Sequence, residues 1–291
     1  MDEWFALALA TALMWGVGGI FSKASTPRLG VARVAFLIAT VEGALYFGAY
    51  LIWRQQHPFS AGDAVFAALS CLAGIAGYLC FFESIMEGQV AIAGTISAAF
   101  PALSVLGAII FLSEELTAFQ ALGVSVVIIG VVGLSYERNP GAPHAMSRRS
   151  LMFSLLAFGF WGIWSFTSKA AINEVGAGNL FGFYAVCTLA APLLYLWMKR
   201  LSSGSKGNGE HPSAKPWLLG TIGLGINVSG TYAFTFALDG GMASLVVPIA
   251  SAYPIVTIVL AVGLLRERID WPQVAALAAV VAGLVLIGIT V

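Results

Sequence analysis

The residue whose type and position raise the first chemical question is Glu42. It lies near the middle of an unbroken apolar run. An ionised carboxylate at the centre of a bilayer costs roughly 2.5–3.5 kcal/mol on insertion scales. It must therefore face the interior of a helix bundle, face a water-filled hollow, or carry a proton. Two kinds of chemistry suit such a group: binding the ammonium group of a solute, and exchanging a proton. A structural Glu held by internal hydrogen bonds is the plain alternative.

Other candidates follow the same logic. Lys23 and Lys169 come near the ends of two apolar runs. Each either snorkels to the interface or serves as a gate residue or anion contact at a mouth. Trp15 and Trp161 lie one-third to one-half along their runs, deeper than an interfacial belt would place them. They are wall residues of a pathway or helix-packing residues. Tyr78, Asn227 and Tyr232 carry polar tips within apolar runs, and either line a pathway or donate hydrogen bonds between helices. Pro101 and Pro254 sit mid-run, with Pro248 close by. A helical proline removes one donor and frees the carbonyl four residues earlier. Interrupted helices near the midplane often mark transport sites, although neighbouring helices can also repair a static kink.

What must position these residues is set by composition. The chain has 291 residues, of which 59% are hydrophobic and only 10% charged. A soluble domain carries about 25% charged residues, so most of this surface must face lipid. Reading apolar runs of about 20 residues gives ten spans: 4–22, 30–53, 62–85, 89–112, 118–136, 150–172, 178–198, 216–237, 242–265 and 270–290. Helices are required because each backbone polar group in lipid must be satisfied within its own segment. The alternation of a β-barrel is missing, for example from Val124 to Leu134. The fold class is thus an all-α membrane protein. The acidic Asp2-Glu3 start lacks the basic region of a cleaved signal peptide, so the first run reads as a retained helix.

The formal net charge is zero, with 14 basic and 14 acidic residues. That speaks against nucleic acid as a partner. Cys71, Cys80 and Cys187 fall in apolar runs without metal-ligand spacing, and His57, His144 and His211 fall in loops. No metal, no cofactor and no enzyme activity are expected. No nucleotide-binding G-x-x-x-x-G-K-[ST] stretch occurs.

The chain also repeats itself. Trp15-Gly16 and Lys23 recur 146 residues later as Trp161-Gly162 and Lys169. Phe100-Pro101, Glu114 and Gln120 recur 153 residues later as Tyr253-Pro254, Glu267 and Gln273. The sequence therefore divides into a first half over 1–137, a linker over 138–149 and a second half over 150–291. Five helices per half is an odd number, so the second half enters the membrane from the opposite side. Ten transmembrane helices arranged as two inverted five-helix repeats are expected, with a solute site between the halves. In this register Glu42 corresponds to Thr188, which makes any charge chemistry one-sided. Glu114, Glu115 and Glu267 fall at turns, where they are expected to cap the helix that follows.

These features carry a resemblance. The paired Trp-Gly motifs, Lys23 and Lys169, Pro101 and Pro254, and Glu114 and Glu267 together resemble the drug/metabolite transporter superfamily, of the EamA type. The likeness covers essentially the whole chain. Ser113-Glu114-Glu115 departs from the family's Gly-Glu-Arg pattern, whereas Glu267-Arg268 keeps it. The resemblance implies a ten-helix carrier of small organic solutes: amino acids, nucleosides, sugars or drug-like compounds.

The expected activity is secondary transport of an amino acid or related metabolite by alternating access. Export and proton coupling are open options. A lipid scramblase or a scaffold without transport is the rival reading. The expected partners are the solute, the bilayer of a cell (inner or plasma) membrane and protons, for a monomer or homodimer. Loops on one face hold two basic residues, Arg54 and Lys169, against twelve on the other. By the positive-inside rule that puts both termini outside, whereas the resemblance implies termini inside.

Overall fold

The structure is a computed structural model that describes residues 2–87, 96–135, 147–202, 213–265 and 270–290. Among them there is helix and no strand. The first half comprises α1 (Glu3–Leu29), α2 (Val31–Trp53), α3 (Ala61–Glu87), α4 (Phe100–Leu112, after a short turn from residue 96) and α5 (Ala118–Ser135). The second comprises α6 (Arg148–Val175), α7 (Ala177–Ser202), α8 (Ala214–Gly240), α9a (Ala243–Ala250) with α9b (Tyr253–Leu265), and α10 (Trp271–Gly288). Seven spans are long and apolar enough to cross a bilayer, and Ile96–Leu112 and Ala118–Leu134 are shorter apolar ones. The tenth, α8, is more polar because Asn227, Thr231 and Thr235 are turned into the bundle. Thr231 and Thr235 satisfy their hydroxyls on the carbonyls of Asn227 and Thr231, at 3.2 and 2.8 Å.

The ten spans form two inverted five-helix repeats, and the packing obeys that symmetry. Helix α1 lies along α8, and its counterpart α6 lies along α3. Likewise α1 meets α9b as α6 meets α4, while α2 pairs with its own counterpart α7 and α5 with α10. Close approach is permitted by small residues. A Cβ on Gly77 would stand 2.4 Å from Trp161 Cδ1, and one on Gly230 would stand 2.6 Å from Trp15 Cδ1. Similarly, Gly16 lies against Val256 and Gly162 against Leu103. The two glycines with positive φ, Gly30 at 75° and Gly176 at 86°, turn the α1–α2 and α6–α7 corners. They too are 146 residues apart, and a side chain there would be strained.

Two helix groups result: α1, α8 and α9b in one, α6, α3 and α4 in the other, with α9a packed between them against α1 and α4. Each group takes helices from both halves, so the halves interlock rather than sit side by side. Apolar side chains cover the outside, among them Leu51, Ile52, Leu106, Ile110, Ile129 and Leu193. Such a surface is stable only in lipid. Because successive spans alternate in direction, the start of α1 and the 54–60, 113–117 and 241–242 turns share one face, here called the first face.

Several boundaries differ from the sequence reading. Helix α1 runs seven residues past 22, through Lys23 and Pro27, and stops at Gly30. Lys23 and Lys169 therefore do not close their spans; each is followed by six more helical residues. Pro101 and Pro254 are not kinks inside continuous helices. Both stand at the second position of a helix that restarts, α4 after Ala99 and α9b after Ala252. In a first turn the missing N–H costs nothing.

Candidate functional site

Glu42 closes a single π-helical turn, Ile38–Glu42, in the middle of α2. Such turns widen the helix by one residue and are common at functional sites. Glu42 is 8% exposed. No described residue hydrogen-bonds its carboxylate or pairs with it as a cation. Tyr46, Tyr78 and Tyr232 stand within electrostatic reach of it, from α2, α3 and α8. A second buried carboxylate, Glu83 on α3, has a different situation: it accepts a hydrogen bond from the Tyr195 hydroxyl. The sequence reading passed over Glu83, although it lies only four residues from the helix end and its charge in an apolar run was a visible signal.

An aromatic wall surrounds this region. Trp15 lies 5.2 Å from Phe234 and 6.3 Å from Tyr253 by ring centroids. Trp161 lies 5.4 Å from Phe81 and 6.0 Å from Phe100. Phe81 and Phe100 are the counterparts of Phe234 and Tyr253, so the two tryptophans occupy matching nests. The nests then diverge. Tyr78 packs edge-on to Trp161 at 5.4 Å, and its counterpart near Trp15 is Thr231. Trp164 stands 6.3 Å from Trp15, and its counterpart is Gly18. The buried indole Nε1 of Trp15 has no hydrogen-bond partner, whereas that of Trp164 donates to the Tyr184 hydroxyl at 2.6 Å.

The remaining candidates separate. Tyr232 donates to the carbonyl of Leu45 at 2.7 Å and ties α8 to α2 beside Glu42. Asn227 fills the α1–α8 crossing, where its Oδ1 would stand 2.3 Å from a Cβ on Gly18. Pro101 and Pro254 start the two half-helices whose first residues, Phe100 and Tyr253, face the tryptophans. Lys23 lies in α1, and its side chain falls outside the described residues. Lys169 does not snorkel: its Nζ donates to the carbonyls of Leu238 at 2.6 Å and Asp239 at 3.2 Å, at the end of α8.

Glu114 corrects an expectation. It does not cap α5, because Thr117 and Gln120 do that reciprocally at 3.0 and 3.3 Å. Asp270 and Gln273 cap α10 in the same way. Glu114 reaches instead across the bundle to α9a, accepting from Ala243 N and Ser244 N at 2.8 Å each and from Ser244 Oγ at 2.6 Å. Its turn is released from capping duty by Thr117, and a three-donor helix terminus is the stronger partner for a carboxylate. Glu115 has no described partner, and Glu267 lies outside the described residues.

With the geometry in place, comparison with known proteins settles the family. Residues 3–136 and 148–289 each match the EamA-like transporter family. This chain belongs to that family. It is therefore a membrane transporter of the drug/metabolite type, with two repeats and multiple passes. An uncharacterized protein of Methanocaldococcus jannaschii is 26% identical over 136 residues, which cover 46% of this EamA-type chain and 98% of that relative. A stretch of about half this chain thus matches nearly the whole of a separate protein. A solved crystal structure superposes with a TM-score of 0.77 at 19% identity, covering 99% of this chain and 96% of the other. That likeness bears on the fold.

Proposed function

We propose that this EamA-type protein is a secondary transporter that carries an amine-bearing small organic solute, an amino acid or related metabolite, across a cell membrane by alternating access. The single observation that supports this reading is Glu42. It is a buried carboxylate that no described residue hydrogen-bonds, set in a widened helical turn with Tyr46, Tyr78 and Tyr232 within electrostatic reach. A group in that state gains most from an arriving ammonium or a proton. Competition between solute and proton for Glu42 would couple export to proton entry. The moving bodies in this reading are the α1–α8–α9b and α6–α3–α4 groups, because their interiors are closely packed and the boundary between them passes the tryptophan nests.

The test is flux in proteoliposomes. Saturable counterflow of a radiolabelled amino acid, enhanced by a pH gradient and lost in Glu42→Gln, is the expected result. Absence of saturable flux across a panel of amino acids, amines, nucleosides and sugars overturns it. Movement of labelled lipid in its place would instead establish a scramblase.

A further inference from the structure

We propose that Glu114 and Lys169 form the latch of a gate at the first face, and that this gate is shut in the conformation described. The inference rests on the transporter reading, but it concerns residues at the mouth and not the Glu42 region.

The argument starts from the α8–α9a hairpin. Its turn is Gly241-Met242. Lys169 holds the carboxyl end of α8, where unsatisfied carbonyls make the helix terminus negative, through Leu238 and Asp239. Glu114 holds the amino end of α9a, where unsatisfied N–H groups make the terminus positive, through Ala243 and Ser244. Each charge thus sits on the helix end of opposite sign. Two side chains carry five hydrogen bonds to the two limbs of one turn. Both side chains come from the α6–α3–α4 side: Lys169 lies on α6, and Glu114 follows α4. The acceptor end belongs to α8, and the donor end belongs to α9a, which continues the hairpin and packs between the two groups against α1 and α4. Lys169 therefore bridges the two helix groups whose relative motion alternating access requires, and Glu114 fixes the half-helix that continues the same hairpin.

Two observations extend the latch to the centre. Leu112, Glu114, Lys169, Asn173, Gly240, Gly241 and Met242 line a cleft of about 320 Å³ that opens beside the hairpin. Every residue of α9a is buried, and it leads directly to the break at Ser251-Ala252 and to Tyr253 against Trp15. A hairpin released at the mouth shifts the half-helix that lines the tryptophan nest. Charge-assisted bonds to helix ends suit this task because they are strong when made and are readily replaced by water once the mouth is open.

The experiment places one cysteine at Tyr253 after Cys71, Cys80 and Cys187 have been replaced by Ala. A membrane-impermeant thiol reagent is applied from the first face. With Glu114→Gln or Lys169→Met the labelling rate is expected to rise about tenfold, and the double variant is expected to add little to either. Ser244→Ala, which removes one of Glu114's three bonds, is expected to give a smaller rise of about threefold and guards against a variant that misfolds. Unchanged labelling in a variant that melts like the parent overturns the latch. So does an equal rise from both faces with a lowered melting temperature, which would mark a purely structural contact. Labelling does not need flux: if it behaves as expected while no solute moves, the latch stands and the transport reading falls.

Discussion

Positions 42 and 188 occupy the same place in the two repeats, yet the halves treat them differently. In α2 the position is Glu42, within a π turn. In α7 it is Thr188, within an uninterrupted α-helix, and its buried hydroxyl has no hydrogen-bond partner among the described residues. Around this pair the scaffold stays symmetric: Trp15 over Gly230 repeats Trp161 over Gly77. Duplication preserved the crossings, where a misplaced methyl group would be felt at once. It did not preserve the polar groups, which is how one repeat came to hold the charge. In the proposed reading, a symmetric frame with a one-sided charge would let two inverted halves present a single solute site to either face.

The comparison can be broken most severely at Glu42. Glu42→Gln is expected to lower flux of an amine-bearing solute by about tenfold or more, since a charge-assisted contact is roughly twice as strong as a neutral one. It is also expected to flatten the response of flux to a pH gradient. Equal flux in parent and variant proteoliposomes would remove Glu42 from the mechanism. Next in size is the scaffold. Gly77→Ala and Gly230→Ala each force a tryptophan aside and are expected to destabilise by about 1–3 kcal/mol. Thermal unfolding in detergent should show the two losses to be similar; a large loss at only one would deny the symmetry of the crossings. The exchange Glu42→Thr with Thr188→Glu sharpens the point. Because α7 lacks the widened turn, flux is expected to recover only in part relative to Glu42→Thr alone. Smallest is Thr188→Val, which replaces an unpaired hydroxyl by a methyl group. Stability should change by less than about 1 kcal/mol, and in the stabilising direction if at all. A clear loss of flux there would mean that both repeats supply the site.

How much of this was legible beforehand varies by residue. Each described span agrees with the apolar runs to within a few residues, the 89–95 part of the fourth run lying outside the described residues, except that α1 continues past Lys23 because a single lysine and a proline near a helix end do not outweigh the bonds on either side. The pairing of Gln120 with Gln273 was readable, and both prove to be capping residues. The destination of Glu114 was not readable. Sequence proximity favoured α5, and only the fold brings Ala243, 129 residues away, within reach. Pro101 and Pro254 signalled an interruption, but whether the helix bends or restarts depends on the tryptophans packed against Phe100 and Tyr253.

The chain alone determined that this is a helical membrane protein of ten spans with an inverted internal repeat. Hydrophobic length and duplicated motifs are local properties, and lipid leaves the backbone no other way to satisfy its hydrogen bonds. Tertiary structure decided which helices pack together, where Glu114 and Lys169 attach, and that among the described residues Glu42 has no hydrogen-bond partner while Glu83 has one. Those outcomes depend on contacts between residues far apart in the chain, and no spacing rule encodes which of several polar groups will meet once the helices have packed.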